Sequence, residues 1–129
     1  MHCILVAEDN KTNQIVVAGT LKKLGYAVDI VESGGAAVEA CFTNDYAAVL
    51  MDVMMPGMDG YEATAKIRQH ESIGGLEPVP IIGLSARAMT GDREIAIEAG
   101  MNDYLTKPLR AAALDEVLVQ WISTRVTIA

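Results

Sequence analysis

Residues Ala47-Ala48-Val49-Leu50-Met51 are apolar without a break, Asp52 closes the run, and Pro56, Gly57 and Gly60 follow. A strand that is apolar at every position has no wet face. It must be covered on both sides, which is the pattern of a parallel sheet flanked by helices. The Pro and Gly residues then force a loop. One carboxylate is thereby expected at the C-terminal lip of a core strand, where open α/β sheets place their ligand sites.

The rest of the chain repeats the alternation. Cys3–Ala7, Ala27–Val31, Pro80–Leu84 and Asp103–Lys107 read as further strands, the last stopped by Pro108. Val17, Leu21 and Leu24 mark a first helix by their spacing, with Lys11, Gln14, Lys22 and Lys23 assigned to its wet face and Gly25 at its C′ position. Ser33 is the expected cap of a short helix over 34–42. Asp59 and Glu62 are spaced like a capping box and open a helix to about His70, while Glu71–Val79, holding Gly74, Gly75 and Pro78, reads as loop. Thr90 is the expected cap of a helix closed by Gly100, and the last helix places Leu114, Val117, Leu118 and Trp121 on one face before a frayed tail over 124–129. Alternating strands and helices with right-handed crossovers imply an α/β fold. The expectation is one domain over 1–129 with its core over about 3–123: a flavodoxin-like, doubly wound (βα)5 with five parallel strands in the order 2-1-3-4-5.

Charge narrows the function. Seventeen acids against ten Lys/Arg give a net charge of −7, which argues against nucleic acid as a partner because phosphate backbones need clustered basic residues. Cys3 and Cys41 both lie in apolar segments and read as buried thiols of a reducing compartment. No apolar run approaches the ~20 residues of a membrane span, and no signal peptide is visible. The expected location is cytoplasmic, without membrane contact by this domain, either free-standing or as a segment of a longer, membrane-tethered parent.

The polar residues at the expected strand ends form a pattern. Glu8 and Asp9 end the first strand, Asp52 the third, Ser85 the fourth and Lys107 the fifth. In the order 2-1-3-4-5 all of them border one crevice. Crowded carboxylates repel unless a cation neutralises them, and hard oxygen donors suit Mg²⁺, with Mn²⁺ as a substitute. Asp9 and Asp52 are the best direct ligands, Glu8 can act through water, and the backbone carbonyl of Met54 supplies another oxygen. An Asp carboxylate is a known phosphoryl acceptor, and phosphoryl transfer asks mainly for alignment and charge stabilisation. Asp52 is therefore the candidate nucleophile, with the Lys107 ammonium and the Ser85 hydroxyl as the groups that hold phosphoryl oxygens. Taken singly, an acid pair after a strand is usually a turn or cap, and a lysine before proline is usually on the surface. The joint placement at four strand ends is what is specific.

With these residues in view, the chain resembles the receiver domain of two-component signalling proteins over about residues 3–123. The matching strings are VAEDNKTN (6–13), LMDVMMPGMDG (50–60), GLSARAM (83–89) and GMNDYLTKPL (100–109). They are most similar to receivers of hybrid sensor histidine kinases. The resemblance implies that Asp52 takes a phosphoryl group from a phosphohistidine of a histidine kinase. It then passes the group to a histidine phosphotransfer domain or loses it to water. It further implies Glu8 and Asp9 as the acidic pair, Met54 as the carbonyl ligand, Lys107 as the essential lysine, Ser85 and Tyr104 as switch residues, and a cis bond at Pro108. Met54 and Arg87 stand where family side chains tune hydrolysis. The implied protein is a phosphoacceptor with self-phosphorylation and autodephosphorylation chemistry rather than a stand-alone enzyme, and a monomer or weak dimer. If it is part of a hybrid protein, the parent is a sensor histidine kinase. His2 and His70 lie in no phosphotransfer-like helix pattern and are not phosphodonor candidates.

Three other readings compete. A haloacid-dehalogenase-type phosphatase needs a second Asp two residues after the nucleophile, and position 54 is Met. A flavin-binding module wants a Ser/Thr/Gly phosphate loop after the first strand, where Glu8-Asp9 would repel a phosphate. A degenerate receiver that only binds partners, independently of phosphorylation, remains the alternative, although every chemical position is filled.

Overall fold

The computed structural model describes residues 2–86 and 91–128, with the backbone alone described over 124–128. The elements alternate throughout: β1 (Cys3–Ala7), α1 (Lys11–Lys23), β2 (Ala27–Val31), α2 (Gly34–Thr43), β3 (Ala48–Asp52), α3 (Gly60–Gly74), β4 (Ile81–Ser85), α4 (Asp92–Ala99), β5 (Asp103–Thr106) and α5 (Ala111–Ile128). The strands form one parallel sheet in the order β2-β1-β3-β4-β5, as the sequence predicts.

The uninterrupted apolar strands are explained by two cores, one on each face of the sheet. Successive side chains of a strand point to opposite faces. Val49 and Met51 join Leu5, Ala7 and Ile81 against Ala37, Ala63, Ile67 and Ala96 from α2, α3 and α4. Ala48 and Leu50 join Ile4, Val6, Ile82 and Leu84 against Val17 and Leu21 of α1 and Leu114, Leu118 and Ile122 of α5. The outer strand β2 departs from the pattern: Asp29 and Ile30 are exposed, because an edge strand has a neighbour on one side only.

Local signals hold at several helix starts. Ser33 accepts the Ala36 amide and Asp59 accepts the Glu62 amide, so α2 and α3 begin where their caps predict. At α1, Asn10 accepts the Asn13 amide, and Gly25 follows the helix with φ 94°. Gly91, with φ 93°, precedes α4; Thr90, the expected cap, lies outside the described residues.

Four expectations need correction. Gln14 is buried rather than on the wet face of α1. Helix α3 continues past His70 to Gly74, so the predicted loop begins four residues late, at Gly75 with φ 64°. Arg68 and Glu71 explain the extra turn. Arg68 pairs with Glu71 at 2.8 Å and donates to the Gly100 carbonyl at 2.9 Å and the Asn102 side chain at 2.8 Å, while Glu71 accepts the Val79 amide at 2.8 Å. These partners are remote in sequence, so helix spacing does not reveal them. Helix α5 runs through Ile128, beyond the start of the predicted frayed tail at Thr124. Cys3 and Cys41 are free thiols, but half-buried rather than buried.

Gly60 fixes the approach of α3 to the end of β3. A Cβ there would collide with the Asp52 carbonyl and lie 2.9 Å from the Val53 Cα, both backbone atoms that cannot swing aside. Gly60→Ala is expected to destabilise the protein by about 1–3 kcal/mol, as overpacking does. Urea unfolding would measure it, and a loss below about 0.5 kcal/mol would contradict the close packing.

Candidate phosphoryl-acceptor site

Four of the five parallel strands, β1, β3, β4 and β5, each deliver one piece of the site at the carboxyl edge of the sheet. Asp52 is the last residue of β3 and Ser85 the last of β4. Glu8 follows β1 directly and Lys107 follows β5, with a cis peptide bond between Lys107 and Pro108. The parallel register aligns these ends, with Ala7 beside Met51, Asp52 beside Leu84 and Ser85 beside Thr106.

Lys107 is the hub. Its Nζ donates to Glu8 Oε2 and to Asp52 Oδ2, both at 2.8 Å. The second Asp52 oxygen, Oδ1, accepts the Met54 amide at 3.1 Å, so the loop after β3 turns its backbone toward the carboxylate while the Met54 side chain is 72% exposed at the mouth. Glu8 is 1% and Asp52 4% exposed, whereas Asp9 faces solvent. Ligand oxygens of Glu8, Asp9 and Asp52 all lie within 4.8 Å of one another. Two carboxylates thus share one ammonium with a third carboxylate beside them, and the cluster keeps uncompensated negative charge. A hard-oxygen set of this kind fits a divalent cation such as Mg²⁺.

The sequence-predicted residues are otherwise placed as follows. Ser85 is buried at the end of β4. Tyr104 lies on β5 against β4 where the neighbour is Gly83; a Cβ on Gly83 would be 3.3 Å from the Tyr104 ring. The Tyr104 hydroxyl donates to Asp92 Oδ2 at 3.5 Å, toward α4. Arg87 lies outside the described residues. Three residues escape the sequence reading. Gln14 Nε2 donates to the Glu8 carbonyl at 2.7 Å, Asn13 Nδ2 to Glu8 Oε1 at 3.4 Å, and the Asn10 amide to the same oxygen at 3.1 Å. A signal was present for Gln14: it stands on the stripe of Val17, Ala18 and Leu21, where a polar residue needs a buried partner. A cleft of about 500 Å³, lined by Cys3, Cys41, His70 and Glu71 among others, opens near the start of the strands, away from Glu8, Asp9 and Asp52. Burial there, with the Glu71 carboxylate, pushes the Cys41 thiol up to about 11.

The two buried carboxylates titrate in opposite senses. Burial pushes Asp52 up, the neighbouring Glu8 adds to the rise, and Lys107 with the Met54 amide offsets it only in part. Burial acts on Glu8 in the same direction, but the bonds from Lys107, Asp52 and the Asn10 amide outweigh it and hold Glu8 below the usual range. Burial would lower Lys107, yet its two carboxylate partners keep it raised and charged.

Asp52 binds its proton more tightly in the folded than in the unfolded chain. Its contribution is therefore fully present below the unfolded-state pKa and is lost as pH rises through the folded value; Glu8 acts in the opposite sense. Without divalent cation at neutral pH, Asp52→Asn is expected to raise Tm by a few degrees, with the gain shrinking as the buffer is acidified. A pH series of thermal melts checks both, and a lower Tm at neutral pH would refute the direction.

Comparison with known proteins agrees with this geometry. The family model of the response regulator receiver domain matches residues 4–119. The sensor histidine kinase GacS of Pseudomonas protegens is 40% identical over 118 residues, covering 92% of this chain and 13% of its own length. Hybrid signal transduction histidine kinase I of Dictyostelium discoideum is 39% identical over 120 residues, covering 89% of this chain and 7% of its own length. The chain thus spans a small part of the kinases it matches. Among solved structures, the receiver domain of sensor histidine kinase PA1611 from Pseudomonas aeruginosa, with a magnesium ion coordinated in its active-site cleft, superposes with a TM-score of 0.83 at 45% identity, covering 95% of this chain and 98% of that one. The Saccharomyces cerevisiae Ssk1 receiver domain, crystallised with the histidine phosphotransfer protein Ypd1, gives a TM-score of 0.90 at 30% identity, covering 96% and 90%. The matched residues run from β1 into α5 and take in every strand-end group of the site, so the chain belongs to the response regulator receiver domain family.

Proposed function

We propose that the chain is one receiver domain over 1–129 whose Asp52 accepts a phosphoryl group from a phosphohistidine. The observation that carries this reading is the Lys107 ammonium held at 2.8 Å from Asp52 beside two further carboxylates. An Asp52 carboxylate oxygen attacks phosphorus, the O–P bond forms as the N–P bond breaks, and the imidazole leaves with the electron pair. Lys107 can turn from the carboxylates to the phosphoryl oxygens, and the Ser85 hydroxyl is the second donor from the adjacent strand end. Asp9, Asp52 and the Met54 carbonyl are the proposed ligands of Mg²⁺, with Glu8 acting through water. Bound there, the cation supplies charge neutralisation for the phosphoryl oxygens and the carboxylates. Mn²⁺ offers the same preference for oxygen ligands.

The phosphoryl group then passes from the acyl phosphate to a histidine of a phosphotransfer domain, or to water, and the Asp52 carboxylate is regenerated as the O–P bond breaks. Met54 and Arg87 are the proposed controls on the approach of water. Movement of Ser85 and Tyr104 toward the phosphorylated Asp52 would bias an existing two-state equilibrium and alter the face formed by α4, β5 and α5. The likeness to GacS and the Ssk1–Ypd1 complex supports a hybrid-kinase parent and a phosphotransfer partner. The net charge of −7 supports a domain without nucleic acid as partner. Among the described residues no helix is long and apolar enough to cross a membrane. A cytoplasmic domain, monomeric or weakly dimeric, fits this reading.

Incubation with acetyl phosphate, with and without Mg²⁺, followed by intact-mass measurement tests the assignment. The expected result is a Mg²⁺-dependent gain of one phosphoryl group, abolished in Asp52→Asn and slowed about a hundredfold in Lys107→Ala, the size of effect seen when one charge-stabilising donor is removed. A silent wild-type chain that also fails to bind beryllofluoride would point to a phosphorylation-independent interaction module.

A further inference from the structure

Asp9 contributes its carboxylate from the exposed loop between β1 and α1, so its direction is set by what holds that loop. The contacts converge on its neighbour, Glu8. The Glu8 amide donates to the Val31 carbonyl at 3.0 Å, and the Glu8 carbonyl accepts Gln14 Nε2 at 2.7 Å. Glu8 Oε1 accepts the Asn10 amide at 3.1 Å and Asn13 Nδ2 at 3.4 Å. Asn10 in turn accepts the Asn13 amide at 3.0 Å, which ties the loop to the first turn of α1.

The bond from Gln14 bears on Asp9 through covalent geometry. The Glu8 carbonyl and the Asp9 amide share one planar peptide unit. Fixing that carbonyl fixes the plane and the place of the Asp9 Cα, so the Asp9 side chain is left with only its own backbone and side-chain rotations. A methionine or leucine would continue the apolar stripe of Val17, Ala18 and Leu21 equally well. The carboxamide in that place supplies a neutral donor, which can hold a carbonyl without cancelling the negative charge of the neighbouring carboxylates. Mutual repulsion among Glu8, Asp9 and Asp52 would otherwise drive the loop outward.

We propose that Gln14 and Asn13 are positioning residues of the divalent-cation site. Gln14 locks the Glu8–Asp9 peptide plane and Asn13 orients the Glu8 carboxylate, so that the acid pair meets the cation already aligned. This inference rests on the receiver reading above.

Titration calorimetry with MgCl2 on the intact chain tests it, using the wild type, Gln14→Met, Asn13→Ala and the remote core variant Ile122→Val. The Mg²⁺ Kd is expected to rise about tenfold in Gln14→Met and about threefold or more in Asn13→Ala, in the manner of outer-shell ligand supports. The acetyl phosphate rate at saturating Mg²⁺ stays near the wild-type value, and Ile122→Val lowers Tm without moving Kd. A Gln14→Met Kd that matches wild type while Tm falls overturns the proposal, because Gln14 is then only a satisfied core residue. If Gln14→Met does not fold, the partly exposed Asn13 decides, and an unchanged Kd in Asn13→Ala overturns it. A wild-type chain that binds no Mg²⁺ overturns the metal reading itself, and the proposal with it, whatever the variants do.

Discussion

Lys107 reaches Glu8 across 99 residues of sequence and Asp52 across 55, and its ammonium is what allows two carboxylates to lie almost fully buried side by side. A lone carboxylate removed from water costs several kcal/mol. Two adjacent ones add repulsion, which the shared ammonium offsets. The order β2-β1-β3-β4-β5 makes the arrangement possible. β4 lies between β3 and β5, so the lysine stem crosses the end of β4, where the last residue is the small Ser85. Aligned strand ends bring the other groups within reach of the same point.

The cluster is a poor device for stability alone. Buried ion pairs are often no better than well-packed apolar residues, and this one has more carboxylate than ammonium. Asp52 is raised and Glu8 lowered, so the charge of Asp52, the proposed nucleophile, is the less stabilised of the two. An acidic site that is unbalanced by itself gains from a cation and from a phosphoryl group that brings further contacts to Lys107. Departures from ordinary packing rules of this kind mark functional sites.

Beyond the site, polar side chains tie helices to the sheet. Arg68, Glu71 and Asn102 join the end of α3 to the entries of β4 and β5, Asn102 also accepting the Ile81 amide at 2.9 Å. Buried Asp103 accepts Arg93 at 2.8 Å, the Tyr104 amide at 2.9 Å and the Trp121 indole at 3.1 Å, and so links α4, β5 and α5 at one carboxylate. The Asp103 group bonds the amide of the proposed switch residue Tyr104, and any movement of α4 or α5 has to work against it.

Local order was largely legible in the chain. The apolar runs, the caps at Ser33 and Asp59 and the glycines at 25 and 100 depend on neighbours a few residues away, so the alternation of elements and the strand-end positions of Glu8, Asp52, Ser85 and Lys107 could be read directly. The tertiary structure alone decided which of these groups touch. It gave Lys107 two carboxylate partners, drew Gln14 inward to the Glu8 carbonyl, and lengthened α3 through Arg68 and Glu71. It also left β2 half-exposed at the edge of the sheet. The physical reason is common to the contacts made by Lys107, by Gln14 and by Arg68 with Glu71. Periodicity and capping act over one or two turns of chain, whereas a hydrogen bond or an ion pair acts across whatever distance in sequence the fold has closed.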